Sequence, residues 1–437
     1  LVPAEEQPYE VPENWVWVYG KNIFMPMESR KPDGEDFYYI DIDAIDNKNQ
    51  VVTEAKKIKT AQAPSRASRK LHTGDTVFSL VRPYLKNIAY IDVQLSDCIA
   101  STGFFVCTPN AALNDKYLYR LMVSSYVVDG LNKHMKGDNS PSIRKDDIEN
   151  YPFPLPPLSE QQRIVERIEE LFAKLDEAKE RLQEVADSFA VRKAAILHKA
   201  FTGELTKQWR RENGVSDESW EEKKLGEVGS WLGGGTPSTS REEYWENGNI
   251  LWITSKDMKS AVIEDTLMKV NEIGVKNSSA NYIEKPALLV VMRSGILRRT
   301  FPVAMVKKPF TVNQDLKAIV PDKDDLEFLF WMLLSNERRI LDSCMKNGTT
   351  VESINSNALK AFAFKCPTLP EQHEIVRLID DLLARERSAQ QATEQALASI
   401  ELMKKSILAR AFRGELGTNK ASEANALELL RQVLAEN

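Results

Sequence analysis

"KAFTGEL" (Lys199–Leu205) and "RAFRGEL" (Arg410–Leu416) stand 211 positions apart in a chain of 437 residues. Sliding the sequence by that offset lays 158–205 on 369–416 without a gap, with 18 identities in 48 positions. Leu158, Glu160, Gln161, Ile164, Val165, Ile168 and Leu171 find themselves again at one end, and Ala200, Phe201, Gly203, Glu204 and Leu205 at the other. Upstream the same offset carries Arg82 onto Arg293, Ser142-Ile143 onto Ser353-Ile354 and Pro156 onto Pro367. One register held this long marks an internal duplication. Each copy reads as a variable globular part followed by a better-preserved helical part.

The helical parts declare themselves by spacing. From Ser159 the apolar positions run Ile164, Ile168, Leu171, Leu175, Ala178, Leu182, Val185 and Phe189. Steps of four and three alternate, which is the seam of a coiled coil. Ser159 with Gln162 offers a capping box, and Gly203 a helix stop. A helix of this length extends about 65 Å at ~1.5 Å per residue. In the second copy Thr368 and Glu371 offer the cap, and the seam reads Ile375, Ile379, Leu382, Glu386, Ala389, Thr393, Ala396, Ile400, Met403 and Ile407. The two seams are unlike, so they suit two antiparallel helices of one chain better than a symmetric self-assembly. Ile168, Leu171, Leu175, Leu182, Val185, Phe189, Ile379, Leu382, Ile400 and Met403 are the expected helix–helix contacts.

The globular parts are β-rich. "YYIDIDAI", "DTVFSLV", "NIAYIDV" and "TGFFVCT" precede a helical stretch in the first; "NILWITS", "ALLVVMRSG", "FPVAMV" and "LKAIV" precede one in the second. Strands followed by helices argue an α+β fold. The expected architecture is two β-rich globular domains joined by two long antiparallel coiled-coil helices, an internal pseudo-twofold repeat. Its boundaries are 1–155, a helix over 156–205, 206–366, a helix over 367–416, and a tail over 417–437 holding a short amphipathic helix.

Composition bounds the function. Hydrophobic residues make up 42% and charged ones 28%, ordinary for a soluble protein. No apolar run is long enough to span a bilayer, and the first residues lack the pattern of a signal peptide. Cys98, Cys107, Cys344 and Cys366 share no C-x-x-C spacing, so they read as reduced structural thiols of a cytoplasmic protein. The net charge is −6, which argues mildly against nucleic acid. Yet each copy owns one window without an acid: 55–74 holds Lys56, Lys57, Lys59, Arg66, Arg69 and Lys70, and 285–314 holds Lys285, Arg293, Arg298, Arg299, Lys307 and Lys308. A pair of such windows, one per copy, points to phosphate-facing surfaces; a solvated loop is the plainer alternative.

The loops are rich in side chains that bond phosphates and base edges: "GDNSPSIRKDD", "KNGTTVESINSN" and "LGGGTPSTSREEYW". Asn313 and Gln314 in "TVNQD" are candidate base readers. Catalytic patterns are sparse. No G-x-x-x-x-G-K-[ST] occurs, "GGGTP" lacks a dinucleotide-site context, and the four histidines are scattered. Pro32-Asp33 with Glu54-Ala55-Lys56 is similar to a degenerate Mg²⁺-nuclease pattern, which keeps an endonuclease reading open beside that of a coiled-coil scaffold without a DNA role.

At "PLPPLSEQQRIVERIEELFAKLD" and "PTLPEQHEIVRLIDDLLAR" the chain resembles the DNA specificity (HsdS-type) subunit of type I restriction–modification systems. "AFTGEL" and "AFRGEL" match that family's helix ends, and "GDTVFSLVRPYLKNIAYI" and "GGGTPSTSREEYW…ILWITSKDM" look like frameworks of its target recognition domains. The resemblance implies a non-catalytic subunit in which each domain reads half of a split DNA site and the helices act as a spacer. It implies two modification (methyltransferase) subunits and restriction subunits as partners. S-adenosylmethionine, ATP and Mg²⁺ would bind those partners, and no cofactor or metal this chain. Carried over by position, Arg66, Arg69, Lys70, Arg82, Lys136 and Arg144 would face DNA from the first domain. Thr236, Ser238, Lys256, Arg293, Arg298, Asn313, Gln314 and Lys346 would do so from the second.

Overall fold

The computed structural model describes residues 1–346 and 351–436. It divides into two compact units: 1–184 with 394–437, and 185–393. Two long helices, Leu158–Phe201 and Leu369–Ala411, contribute one half to each unit.

In unit 1 a four-stranded sheet runs in the order Lys56–Lys59, Asp36–Ile40, Ile99–Ser101, Ala67–Lys70. A three-stranded sheet places Thr76–Ser79 between Phe104–Cys107 and Ile88–Tyr90. Val16–Tyr19 pairs antiparallel with Pro152–Leu155, the strand that leads into the first long helix. Unit 2 repeats the plan. Ala287–Val291 lies between Leu316–Pro321 and Val303–Val306, and Gly229–Leu232 extends that sheet. Glu221–Lys224 pairs with Ala363–Cys366 ahead of the second long helix. The central strands Thr76–Ser79 and Ala287–Val291 are buried throughout, and the second reads accordingly as an unbroken apolar run.

The repeated heptapeptide now has a physical reason. Phe412, fully buried, meets Tyr117 edge-on at 5.4 Å in unit 1. Phe201 meets Phe328 at 5.5 Å in unit 2. Each long helix thus ends against the same face of a globular core. Burying one such ring is worth about 2–3 kcal/mol. Gly203 and Gly414 then take φ of +77° and +75°, the left-handed turn that stops each helix.

The helix starts are locked as alike as the ends. Gln161 accepts from the backbone N–H of Asn114 at 2.7 Å and donates to the Pro156 carbonyl at 2.9 Å. Gln372 accepts from Asp325 N–H at 2.8 Å and donates to the Pro367 carbonyl at 3.0 Å. Asn114 and Asp325 in turn cap the helices Asp115–Met122 and Leu326–Ser335. The preceding glutamates are fully buried. Glu160 accepts from Trp15 Nε1 and Asn419 Nδ2, both at 2.8 Å. Glu371 accepts from Thr206 Oγ1 and Arg210 Nη1, both at 2.7 Å. The capping role expected of Glu371 is therefore not what it performs: its carboxylate turns inward to hold the segment beyond Phe201.

Within unit 1 Lys179 pairs with Glu401 at 2.7 Å and Asp176 with Lys404; within unit 2 Arg192 pairs with Glu386 at 2.8 Å. Numbers rise on one helix as they fall on the other, so each half-pair is antiparallel. Ile168, Ile379 and Ile400 are buried, and Leu171, Leu175, Leu182, Phe189 and Leu382 half-buried. Val185 and Met403 depart from the expected seam, being 40% and 51% exposed. Their neighbours Ala186 and Lys404 are the sheltered residues at those levels. A straight helix of 3.6 residues per turn drifts ~20° per heptad against a strict 3.5 count, about one position over this length. The tail helix, Ala426–Glu436, buries Ala426, Leu430 and Val433 in the core of unit 1.

Glu371→Ala leaves the Arg210 guanidinium, 6% exposed, without its buried partner, and is expected to cost about 3–5 kcal/mol. Glu160→Ala strands only neutral donors and is expected to cost about 1–3 kcal/mol. Denaturant unfolding of the two variants checks the order; equal losses would contradict it.

Candidate nucleic-acid interface

The structure gathers the candidate residues into small groups. In unit 1 Val81 bridges Ser142, Arg82 N–H donates to the Pro141 carbonyl at 2.8 Å, and Ile143 N–H to the Leu80 carbonyl at 2.9 Å. Arg82 holds the left-handed conformation, φ +47°, and its Nη2 donates to the Asn139 carbonyl at 2.9 Å. Lys136 bridges Ser142 and Arg144 follows Ile143, so Arg82, Lys136 and Arg144 are brought together, all exposed. Arg66, Arg69 and Lys70 form a second group on and beside the edge strand Ala67–Lys70.

Unit 2 builds a similar clasp, its first segment shifted by one residue against the offset of 211. Arg293 bridges Ser353, Ser294 N–H donates to the Glu352 carbonyl at 3.0 Å, and Ile354 N–H to the Met292 carbonyl at 2.8 Å. Lys346, exposed, donates its N–H to the Ser353 carbonyl at 2.8 Å. Asn347–Thr350 of the loop "KNGTTVESINSN" lie outside the described residues. Lys256 stands exposed on another loop, and Ser238 shares a hydroxyl–hydroxyl bond of 2.8 Å with Ser240. Thr236 donates to Gln314 Oε1 at 2.7 Å. Asn313 differs from its expected role. It is 8% exposed, its Oδ1 accepting from Asp315 N–H at 3.1 Å, so its side chain closes a turn instead of pointing outward.

The one-signed windows are not bare positive fields. Lys56 pairs with Asp41, Lys57 with Asp36 and Lys70 with Glu28. Arg293 pairs with Asp315, Arg298 with Glu352, Lys307 with Glu327 and Lys308 with Glu264. Hydrogen bonds from Lys70 and Arg298 hold the Glu28 and Glu352 carboxyls below their usual range. The side chains of Arg66, Arg82, Lys136, Arg144, Lys256 and Lys346 form no ion pair among the described residues, though the Arg144 backbone N–H donates to Asp147 at 2.7 Å. The acids come from elsewhere in the chain, so no local window count could have found them. The nuclease-like pattern is dispersed as well: Asp33 bonds Arg30 at 3.3 Å while Lys56 bonds Asp41. Among the described residues no cluster of three or more His, Cys, Asp or Glu could hold a metal ion.

A duplicated framework with unlike polar loops is what the comparisons with known proteins explain. The family model described as the type I restriction modification DNA specificity domain matches residues 21–187 and again 217–397. The chain belongs to this family. It is 26% identical over 353 residues to the type I restriction enzyme EcoDI specificity subunit of Escherichia coli, covering 74% of this chain and 77% of that protein. It is 40% identical over 159 residues to the EcoR124I/EcoR124II specificity subunit of Escherichia coli, covering 36% of this chain and 39% of that protein. The crystal structure of the HsdS subunit from Thermoanaerobacter tengcongensis superposes with a TM-score of 0.72 at 26% identity, covering 94% of this chain and all of that one. This is a specificity subunit of a type I system, with two copies of the DNA specificity domain. Among the described residues no helix is long and apolar enough to cross a membrane. Cys98, Cys107, Cys344 and Cys366 are unpaired and buried; burial, with Asp324 nearby, pushes the Cys366 thiol up to about 12.

Arg82 and Arg293 each stand at the clasp of their own unit, and substitution of either by Ala is expected to weaken DNA binding alike on every sequence. Each should reduce the slope of log K against log salt by about 1. Titrations at several salt concentrations, with specific and unrelated duplexes, check this; a loss confined to one sequence would contradict it.

Proposed function

We propose that this specificity subunit reads a bipartite DNA site, one part with each globular domain. The long helices would set the unspecified gap between the parts, and two modification (methyltransferase) subunits would dock on the chain. In this reading the chain performs no catalysis. The partners bind S-adenosylmethionine and methylate the target base, and restriction subunits cut with ATP and Mg²⁺. The assembly works in the cytoplasm.

The observation that carries the reading is the level at which the copies agree and differ. The framework repeats down to single hydrogen bonds and ring contacts: Gln161 with Gln372, and the rings Tyr117–Phe412 with Phe328–Phe201. The loops do not: "ASTGF" stands where "TVNQD" does. A constant frame carrying different loops suits one task performed on two different targets. Arg82, Lys136 and Arg144 in unit 1, with Arg293 and Lys346 in unit 2, are proposed to meet phosphates. Arg66, Arg69, Lys70, Thr236, Ser238, Lys256, Arg298 and Gln314 complete the proposed surfaces.

A map of methylated bases in cells with and without the chain tests this. We expect one motif of two defined parts separated by a fixed gap, present only with the chain. A continuous motif, or none that depends on the chain, would refute it.

A further inference from the structure

The two copies serve as an internal control on what can tell one half-site from the other. A residue whose position and bonding repeat in both units, such as Gln161 and Gln372, cannot account for a difference between their targets. Specificity must sit where the copies part. In unit 2 the sharpest departure is the loop "GGGTP" (Gly233–Pro237) against the end of the strand Phe310–Val312.

The loop is pressed there because three residues lack a Cβ. A Cβ at Gly234 would stand 1.7 Å from the Val312 carbonyl oxygen, and one at Gly235 2.0 Å from Ser279 Oγ. Trp252 Nε1 donates to the Gly235 carbonyl at 3.1 Å and Asn281 Nδ2 to that of Gly233 at 2.6 Å. This fixes Thr236, whose hydroxyl donates to Gln314 Oε1 at 2.7 Å. Gln314 is itself held from behind, since its neighbour Asn313 closes the turn and donates its N–H to the Ile253 carbonyl at 3.0 Å. At the position of Gln314 unit 1 carries Gly103, which has no side chain to form such a pair.

A glutamine alone can present its amide either way round. Here the Thr236 hydroxyl donates to Oε1, and in that orientation both Nε2 hydrogens and the second lone pair of Oε1 are left for a ligand. That donor–acceptor pair complements the major-groove edge of adenine, with Nε2 donating to N7 and Oε1 accepting from N6. We infer that Gln314 is the base-reading residue of unit 2 for an adenine in its half-site, and that Thr236 is the positioning residue that orients its amide. This rests on the proposed reading of a bipartite site.

The test uses the full chain assembled with its modification subunits, and reads the selected DNA motif from a randomised duplex pool. Gln314→Glu removes the N7 donor, and is expected to lower the preference for adenine at one position of one half-site about tenfold to a hundredfold. The other half-site should stay unchanged. Thr236→Val frees the amide and should relax the same position, whereas Thr236→Ser, which keeps the hydroxyl, should restore it. An unchanged motif in Gln314→Glu overturns the inference, as does a loss spread evenly over all sequences. A relaxed motif in Thr236→Ser equal to that of Thr236→Val overturns the role of Thr236. If the unsubstituted assembly selects no bipartite motif at all, the broader reading fails instead.

Discussion

Each long helix begins with a buried glutamate and glutamine, and both units depend on what that pair holds. The glutamine spans from the Pro that ends the last strand to the N-cap of the first domain helix, 2.7–3.0 Å at each bond. The glutamate grips a segment that arrives from far along the chain: Asn419 and Trp15 on Glu160, Thr206 and Arg210 on Glu371. A buried carboxylate without donors would be costly, so its partners are obligatory. Two short motifs thereby join strand, helix and distant chain at one point.

The consequence is that neither unit is a contiguous piece of sequence. Unit 1 takes its last hydrophobic layer, Leu408, Ala411, Phe412 and the tail helix, from the end of the chain. Unit 2 takes Leu197 and Ala200 from the end of the first long helix. The identical phrase at both helix ends follows, because the same cavity in the same frame is being filled twice. The two locks differ in chemistry, however. Glu160 is met by neutral donors, whereas Glu371 takes the Arg210 guanidinium and the Thr206 hydroxyl together on Oε1.

The period of the apolar residues and the offset of 211 made the helices and the duplication legible, since both are local or translational patterns. The exact seam was not, because a heptad count ignores the slip of a straight helix, and Val185 and Met403 fall on the wrong side of it. Arg210, Trp15 and Asn419 were invisible as partners, since no spacing rule connects positions 161 or 259 residues apart. A Thr follows "GEL" at 206 and again near it at 418, the one faint signal available. The charge windows gave no sign that acids outside them pair with many of their lysines and arginines, nor that the Asn313 side chain closes a turn. What holds Gln314, a loop 78 residues away in sequence, was equally beyond any local reading.

The account's central claim is that each globular domain chooses its own part of the DNA site independently of the other. Replacing residues 206–366 by the matching stretch of a related specificity subunit, and mapping the motif then methylated, tests it most directly. The account predicts that one part of the motif changes to that of the donor while the other part is kept base for base. A motif altered in both parts, or in neither, by an assembly that still methylates DNA would contradict it.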